Sequence, residues 1–159
     1  MANERITGNQ YLTFKLAEEV YGIDISQVRE VLEYTAITAV PRTPDFMRGV
    51  INLRGGVVPV VDMRLKFGLL KTEVTINTCI VIMEIMFDED VALIGALVDS
   101  VQEVLELDPS QIEPPPKIGT GLKTEFIKGM GKHEENFIII LDVDMIFSAQ
   151  ELDILQKVQ

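Results

Sequence analysis

Few residues of this chain have the types and spacing that chemistry at a protein site requires. The single histidine, His133, lies in the polar stretch KHEEN, so the sequence offers no cluster of imidazoles for a metal or for proton transfer. The single cysteine, Cys79, begins a strongly apolar segment. A buried, unreactive thiol is typical there, because reactive thiols need an electropositive and accessible setting. Neither residue therefore predicts a catalytic centre.

The remaining motifs predict structure rather than catalysis. The sequence contains neither a G-x-x-x-x-G-K-[ST] phosphate loop nor a G-x-S-x-G nucleophile elbow. The acidic run at 88–90 lacks the alternating oxygen ligands of a calcium loop and is typical of a solvated hairpin turn. Asp142 and Asp144 stand at the start of a predicted helix, where carboxylates favour the helix dipole. We expect no enzyme activity, no cofactor and no metal; a small enzyme with a carboxylate site is the alternative.

Arg54 is the charged residue that stands out by its position. It follows an apolar run and precedes two glycines. One interpretation is an exposed turn arginine. The other is a partly buried arginine paired with a carboxylate across the fold, because burying an unpaired guanidinium is costly. The candidate partner is Glu30, which lies between Val28 and Val31 in an otherwise apolar segment.

The element that positions Arg54 is a predicted hairpin, GVINLRGGVVPVVD, at residues 49–62. A Gly-Gly pair between β-branched runs predicts a tight turn, because glycine adopts the positive φ values that such turns need. We expect strands at 50–53 and 57–61, with Asp62 capping a short helix. Pro59 cannot donate a ladder hydrogen bond, which predicts an edge strand or a bulge. Whether such an edge is merely protected by the proline or is covered by a partner protein stays open.

Two blocks of sequence recur in the same order further along the chain. VREVLE at 28–33 returns as VQEVLE at 101–106, and the hairpin at 49–62 has a counterpart at 129–142. A shared order argues for internal duplication rather than chance. The recurring residues are Gly22 and Gly95, Gly49 and Gly129, Asp62 and Asp142, and Phe67 and Phe147.

The duplication predicts a mainly β fold of two similar small barrels, since closure of a sheet removes its exposed edges. With 159 residues and 47% hydrophobic content, the chain fits a single domain with a full core. We expect a flexible tail at 1–9, a first lobe at 20–78 and a second lobe at 79–141. A strand at 10–16 and a C-terminal helix at 142–158 would join the lobes.

Composition also bounds the partners and the compartment. A net charge of −11 argues against nucleic acid and anionic membrane as partners, because both attract basic surfaces. No apolar run approaches the roughly 18–20 residues that span a bilayer. The first residues lack the apolar region of a signal peptide, and one cysteine allows no internal disulfide. We therefore expect a cytoplasmic protein that does not insert into membranes.

The most specific motifs resemble a known family. VREVLE, ITAVP and PDFMRGVINLRGGVVPVVDMRLKFG, which together span residues 28–68, are similar to the CheW family of chemotaxis coupling proteins. ALVDSVQEVLEL and FIKGMGKHEENFIIILDVDMIF fit the order of the same family. The sequence departs from the family at Gly56, where a larger residue is common. The resemblance implies two SH3-like five-stranded β-barrel subdomains, with short helices and a C-terminal helix.

The resemblance further implies an adaptor, or scaffold, that joins the histidine kinase CheA to transmembrane chemoreceptors. One lobe would pair with the homologous regulatory domain of CheA, and a groove between the lobes would hold the helical tip of a receptor's cytoplasmic stalk. The alternative is a module that binds CheA but not receptors. We expect the kinase contact on the first lobe at Ile37, Val40, Pro41, Pro44, Arg54 and Pro59. We expect the receptor groove to use Val28, Glu30, Val98, Val101 and Val104.

Each of these apolar residues has a second interpretation as part of the core. The proline-shaped stretch at 37–46 either plugs the end of a barrel or forms part of a docking patch. The valines assigned to the groove are subject to the same choice, because β-branched residues also fill the interior of small barrels.

Overall fold

The computed structural model of the protein describes residues 9–115 and 124–157. Of the tail expected at 1–9, only residue 9 is among the described residues. The last residue of the helix expected at 142–158 also lies outside them. Three α-helices are described: α1 (Met63–Lys66), α2 (Val143–Ile146) and α3 (Ala149–Gln156). The strands are β1 (Gln10–Leu16), β2 (Glu19–Asp24), β3 (Val28–Glu33), β4 (Met47–Leu53), β5 (Gly56–Asp62), β6 (Cys79–Phe87), β7 (Asp90–Val98), β8 (Ser100–Glu106), β9 (Ile112–Glu113), β10 (Ile127–His133) and β11 (Asn136–Leu141).

The strands form two sheets, which confirms the mainly β, two-lobed prediction. One sheet has five strands in the order β3-β6-β7-β5-β4 and forms the first barrel. The other has the order β8-β1-β2-β11-β10-β9 and forms the second barrel. The second sheet exceeds the predicted five strands because β9, two residues long, is added beside β10.

Strand pairing divides the chain differently from the expected lobes at 20–78 and 79–141. The first barrel is continuous, because β6 pairs with β3 and β7 pairs in parallel with β5. The second barrel takes its first two strands from the N-terminal end, where β1 pairs with β8 and β2 pairs with β11. The strand at 10–16 therefore belongs to the second barrel instead of joining two lobes.

The repeated glycines occupy equivalent places in this arrangement. Gly95 of β7 lies opposite Val60 of β5, and Gly22 of β2 lies opposite Ile140 of β11, both in parallel pairs. The duplicated unit is therefore β3 to β7 in the first barrel. In the second barrel the equivalent strands are, in the same order, β8, β10, β11, β1 and β2. Because β1 and β2 come first in the chain, this order is circularly permuted.

The apolar side chains fill three clusters. One cluster lies inside each barrel, and the largest, the shared core, lies between the barrels. The period-two alternation of a strand divides β6 between two of them. Val81 and Met83 face the shared core, whereas Ile80 and Ile82 fill the first barrel. Both faces of β6 are thus buried, which explains its nearly continuous apolar sequence.

The hairpin around Arg54 forms as predicted, with a different turn. The two turn residues are Arg54 and Gly55, with φ values of 49° and 87°, and Gly56 already begins β5. Successive positive φ values are typical of a type I′ turn, which matches the twist of the two strands. The same conformation recurs at Asp88–Glu89 and Glu134–Glu135. The predicted Gly-Gly turn was therefore wrong by one residue.

Pro59 lies in an internal strand, which corrects the prediction of an edge strand. β5 is flanked by β4 and β7, and Pro59 pairs with Val50. The backbone N–H and C=O of Val50 form hydrogen bonds with Thr38, at 2.8 and 2.9 Å. Val50 and Pro59 therefore exchange no hydrogen bonds. Parallel pairing with β7 starts only at Val60. The missing N–H of the proline is therefore not needed on either side.

Side-chain caps start α1 and α3 as the sequence indicates. Asp62 accepts hydrogen bonds from the backbone of Arg64 and Leu65 at the start of α1. Ser148 and Glu151 form a reciprocal capping box at the start of α3. Among the helices that the structure describes, none is long and apolar enough to cross a membrane.

Replacement of Gly49 by alanine should destabilise the first barrel. Gly49 has a φ of +141°, and an added Cβ would lie 2.0 Å from the carbonyl oxygen of Thr38. We expect a loss of about 3 kcal/mol in the free energy of unfolding, from the strained backbone and the clash. Gly56→Ala is the control, because its Cβ would meet only an ordinary contact at 3.6 Å. Equal thermal melts of the two variants would contradict the expected close approach.

Candidate functional site

The predicted ion pair between Arg54 and Glu30 is present. Nη1 of Arg54 donates to Oε1 of Glu30 at 3.3 Å, and Nη2 donates to Oε2. These hydrogen bonds lower the pKa of the Glu30 carboxyl and raise the pKa of Arg54. The side chain of Arg54 is 69% exposed, so the pairing was predicted correctly and the partial burial was not. The pair bridges the gap between β3 and β4, the two edge strands of the first sheet.

The residues expected to contact the kinase differ in accessibility. Pro41 and Arg54 are exposed, and Pro44 is half-buried. Ile37 is half-buried against the interior of the first barrel, which supports the interpretation of this residue as a barrel plug. Val40 packs against the shared core. Pro59 is buried, so its side chain is not part of an accessible surface, which corrects that assignment.

The residues expected in the receptor groove also differ in accessibility. Val98 is fully buried in the shared core, so its assignment to a groove surface was wrong. Val28 and Val101 are half-buried and pack against the same core. Val104 is exposed on β8. Glu30 lies beside Arg54, so it belongs with the residues expected to contact the kinase rather than with the other expected groove residues.

A groove runs where the two barrels meet, immediately after Val98. It has a volume of about 520 Å³. The first barrel contributes α1 and the segment at 68–78, and the second contributes the end of β1 and the start of β8. We define the interbarrel groove by its lining residues Lys15, Leu70, Thr75, Asn77, Asp99 and Ser100.

The segment at 69–78, which supplies Leu70, Thr75 and Asn77 to one wall of the interbarrel groove, was not among the predicted binding residues. This segment exposes four apolar side chains, and Leu70 and Ile76 are the most exposed of them. Four apolar residues in an otherwise polar loop were the signal available in the sequence, because they have no core to enter.

Asp62 fixes that wall from inside the first barrel. Its buried carboxylate accepts a hydrogen bond from Thr72 Oγ1 at 2.7 Å and from the Thr72 backbone at 3.0 Å. Arg48 Nη1 donates to the same carboxylate at 3.0 Å. The buried charge is thus both paired and hydrogen-bonded, as a buried carboxylate requires. The equivalent Asp142 makes no side-chain cap, so within the described residues this anchor is a feature of the first barrel.

Asp99 joins the two barrels at the floor of the groove. Arg64 of α1 donates to its two carboxylate oxygens, with Nε–Oδ1 and Nη2–Oδ2 distances of 2.9 and 2.6 Å. The backbone N–H of Ala17 donates to Oδ2 at 2.8 Å. The hydrogen bonds to Asp99 raise the pKa of Arg64. A bidentate pair of this kind adds geometric specificity to the charge attraction.

A second ionic contact joins the barrels on the side of the C-terminal helix. Nζ of Lys66 lies 5.0, 5.5 and 5.6 Å from the ring centres of Phe46, Phe126 and Phe147. It also donates to Oε1 of Glu151 at 3.2 Å. A lysine held over aromatic faces and paired with a carboxylate ties α1 to α3.

The end of the second barrel lacks the ion pair of the first. Glu103 and Glu134 occupy the places of Glu30 and Arg54, so two like charges replace an attraction. Both line a second cavity of about 470 Å³, together with His133 and Phe137. The equivalent barrel ends therefore differ in charge although their strands match.

Neither cavity carries the side chains of a recognisable catalytic centre. In the parts of the chain that the structure describes, no three His, Cys, Asp or Glu residues are grouped as metal ligands. The thiol of Cys79 is half-buried and donates to the backbone oxygen of Asn77 at 3.4 Å. What the arrangement offers is a groove and two barrel ends of different charge, which are features of binding surfaces.

Comparison with known proteins gives a consistent result. A family model described as a CheW-like domain matches residues 10–151. The chain is 37% identical over 158 residues to the chemotaxis protein CheW of Klebsiella aerogenes, with 99% of this chain and 92% of the relative covered. It is 33% identical over 140 residues to the chemotaxis protein CheW of Thermotoga maritima, with 86% of each chain covered. The solved structure of the scaffolding protein TtCheW from Thermoanaerobacter tengcongensis matches with a TM-score of 0.80 and 38% identity, over 91% of this chain and 90% of that one.

Exchange of the two charges tests the ion pair at the end of the first barrel. Glu30→Arg and Arg54→Glu should each lower the melting temperature by a few degrees, and the double exchange should restore most of the loss. The restoration should shrink at about 1 M salt, where the Debye length is about 3 Å. The mismatched double variant Arg54→Glu with Glu103→Arg is the control. If it recovers as much as the matched exchange, the pair is not specific.

The same pair should make stability depend on pH in a defined direction. The folded-state pKa of Glu30 lies below its ordinary value of 4.5, so its contribution is present above that pH. The contribution is lost as the pH falls through the folded-state pKa. The difference in melting temperature between the native protein and Glu30→Gln should therefore be constant near neutrality and shrink below pH 4.5. A difference that grows on acidification would contradict this direction.

Proposed function

The chain belongs to the CheW family of chemotaxis scaffold proteins, and from this premise we propose that it couples transmembrane chemoreceptors to the histidine kinase CheA by binding both. The observation that carries the proposal is the separation of two surfaces on one fold. The interbarrel groove lies between the barrels, whereas the Arg54–Glu30 pair lies at the outer gap of the first barrel. A scaffold needs such separate surfaces to hold two partners together.

We propose that the interbarrel groove receives the helical tip of a receptor's cytoplasmic stalk. Helices bind in grooves through an apolar face flanked by polar contacts. Leu70 supplies apolar contact, and Thr75 and Asn77 supply polar side chains on the same wall. Val101, which follows Ser100 of the groove, supports this region from the shared core, whereas we assign Val28 a role in the shared core alone.

We propose that the regulatory domain of CheA binds at the gap of the first barrel. Two exposed valines, Val31 on β3 and Val57 on β5, belong to the elements that carry the Arg54–Glu30 pair. Pro41 extends the exposed surface beyond β4. A small apolar patch with a preformed ion pair fits the usual organisation of an interface, in which apolar contacts are surrounded by polar ones.

The proposed mechanism depends on binding geometry rather than on catalysis. It needs no catalytic residue, cofactor or metal, and it assigns the protein to the cytoplasm, where the kinase and the receptor tips are accessible. A receptor state that binds the groove more tightly would shift the kinase equilibrium through the scaffold by the same coupling free energy. Asp99 of the second barrel and Arg64 of α1 join the two barrels at this groove.

The separation of the two surfaces can be tested with one variant for each. Asn77→Trp fills the groove and should weaken co-sedimentation with receptor-bearing membranes about tenfold while leaving CheA pull-down unchanged. Val57→Asp puts a charge beside the gap of the first barrel. It should weaken the CheA pull-down and leave co-sedimentation with receptor-bearing membranes unchanged. Asn77→Ala and Val57→Thr are the matched controls, because they add neither bulk nor charge.

Thermal melts of all four variants show whether they remain folded. Loss of both interactions in either folded variant would contradict separate surfaces. If the native protein is pulled down with CheA but does not bind receptor-bearing membranes, with or without CheA, it is a module that binds the kinase alone. If the native protein shows neither interaction, the alternative of a small enzyme with a carboxylate site is favoured.

A further inference from the structure

The hairpin formed by β6 and β7 is longer than its counterpart in the second barrel. Counted from the equivalent glycines, Gly22 and Gly95, the β1–β2 ladder ends at the pair Glu19–Leu16. The β6–β7 ladder continues further, through Val91–Met86 to Asp90–Phe87. The first barrel therefore carries an extra segment of hairpin for which the second barrel has no equivalent.

The extra segment presents apolar side chains to solvent. Met86 and Val91 are cross-strand partners, so they share one face of the hairpin, and they are 55% and 51% exposed. Met145 of α2 is 49% exposed. The neighbouring carboxylate of Asp144 accepts a hydrogen bond from the backbone of Met86 at 3.3 Å, which holds α2 beside the hairpin. We call Met86, Val91 and Met145 the tip patch.

The charges of the hairpin turn beside the tip patch are all negative. The turn consists of Asp88 and Glu89 and is followed by Asp90, and all three are exposed. Neither β6, β7 nor α2 contains a lysine or an arginine. On the adjacent β3, Arg29 is already paired with Glu84 at 2.6 Å. The carboxylates of the turn thus have no cation of their own hairpin to neutralise them.

We propose that the tip patch docks a cationic amphipathic segment of a partner protein, an inference that goes beyond the proposed function and does not rest on it. The apolar side chains of that segment cover Met86 and Val91, and its lysine or arginine side chains face the acidic turn. Charge complementarity selects such a partner over a second copy of this chain, whose net charge is −11. The flexible thioethers of the two methionines adapt to apolar partners of different shape.

The binding of a synthetic helical peptide of leucine and lysine, followed by fluorescence anisotropy, tests the proposal. Asp88→Asn with Glu89→Gln removes the charge and keeps side-chain size, and asparagine tolerates the positive φ of the first turn residue. Met86→Ser with Val91→Thr removes the apolar face. We expect each pair of changes to weaken peptide binding about tenfold.

The second barrel provides a matched control for each change. Glu134→Gln with Glu135→Gln removes two charges from a turn of the same conformation. Val104→Thr changes an exposed valine on a different strand. Both controls should bind the peptide within about twofold of the native protein, about 0.4 kcal/mol. Equal weakening by the two turn variants would mean attraction to net charge alone and would overturn the proposal, as would unchanged binding by either tip variant in its folded form.

Discussion

The shared core between the two barrels is the constraint on which the rest of the structure depends. β1, β6 and β7 each bury one face in it, so neither barrel has a fully covered surface without the other. The ion pair of Arg64 with Asp99 and the aromatic contacts of Lys66 lie at the borders of this core. The interbarrel groove exists because the core ends at Val98 and the two barrels separate there. The shape of the groove therefore follows from the packing of one barrel on the other.

Duplication supplied two similar barrels, and the differences between them separate framework from function. The strand order, the parallel pairs at Gly22 and Gly95, and the type I′ turns are common to both and serve the fold. Among the described residues, the charge pair at the barrel gap, the buried Asp62 anchor and the long β6–β7 hairpin occur in the first barrel alone. The charge pair and the hairpin lie at the surface, where one copy can change without disturbing the shared core.

Local patterns predicted the local structure well. The hairpin around Arg54, the Asp62 cap and the capping box at Ser148 follow from turn chemistry and side-chain hydrogen bonding within a few residues. The Arg54–Glu30 pair was predicted from the cost of burying an unpaired arginine, but Arg54 is 69% exposed, so burial is not what requires the pair. The division of the chain into barrels was not predicted, because β1 and β2 lie far in sequence from the other strands of the second barrel, although the recurrence of Gly22 as Gly95 was a sign of the permuted copy. Val98 and Pro59 were misplaced for a related reason: burial of a strand residue depends on which sheet covers it.

The carboxylates of Asp62 and Asp99 are the two polar anchors that keep the interbarrel groove in a fixed form. Loops without a core are the least stable parts of a fold, and the segment at 68–78 has four exposed apolar residues. Asp62 compensates by fixing Thr72 through two hydrogen bonds from inside the first barrel. Asp99 fixes the opposite side by bonding both Arg64 and the β1–β2 turn. Because Asp62 also caps α1, which carries Arg64, both walls are joined through one short helix. In the proposed role, a partner helix in the groove therefore contacts both barrels through elements that α1 holds in register, which is the physical requirement for transmitting a change of contact.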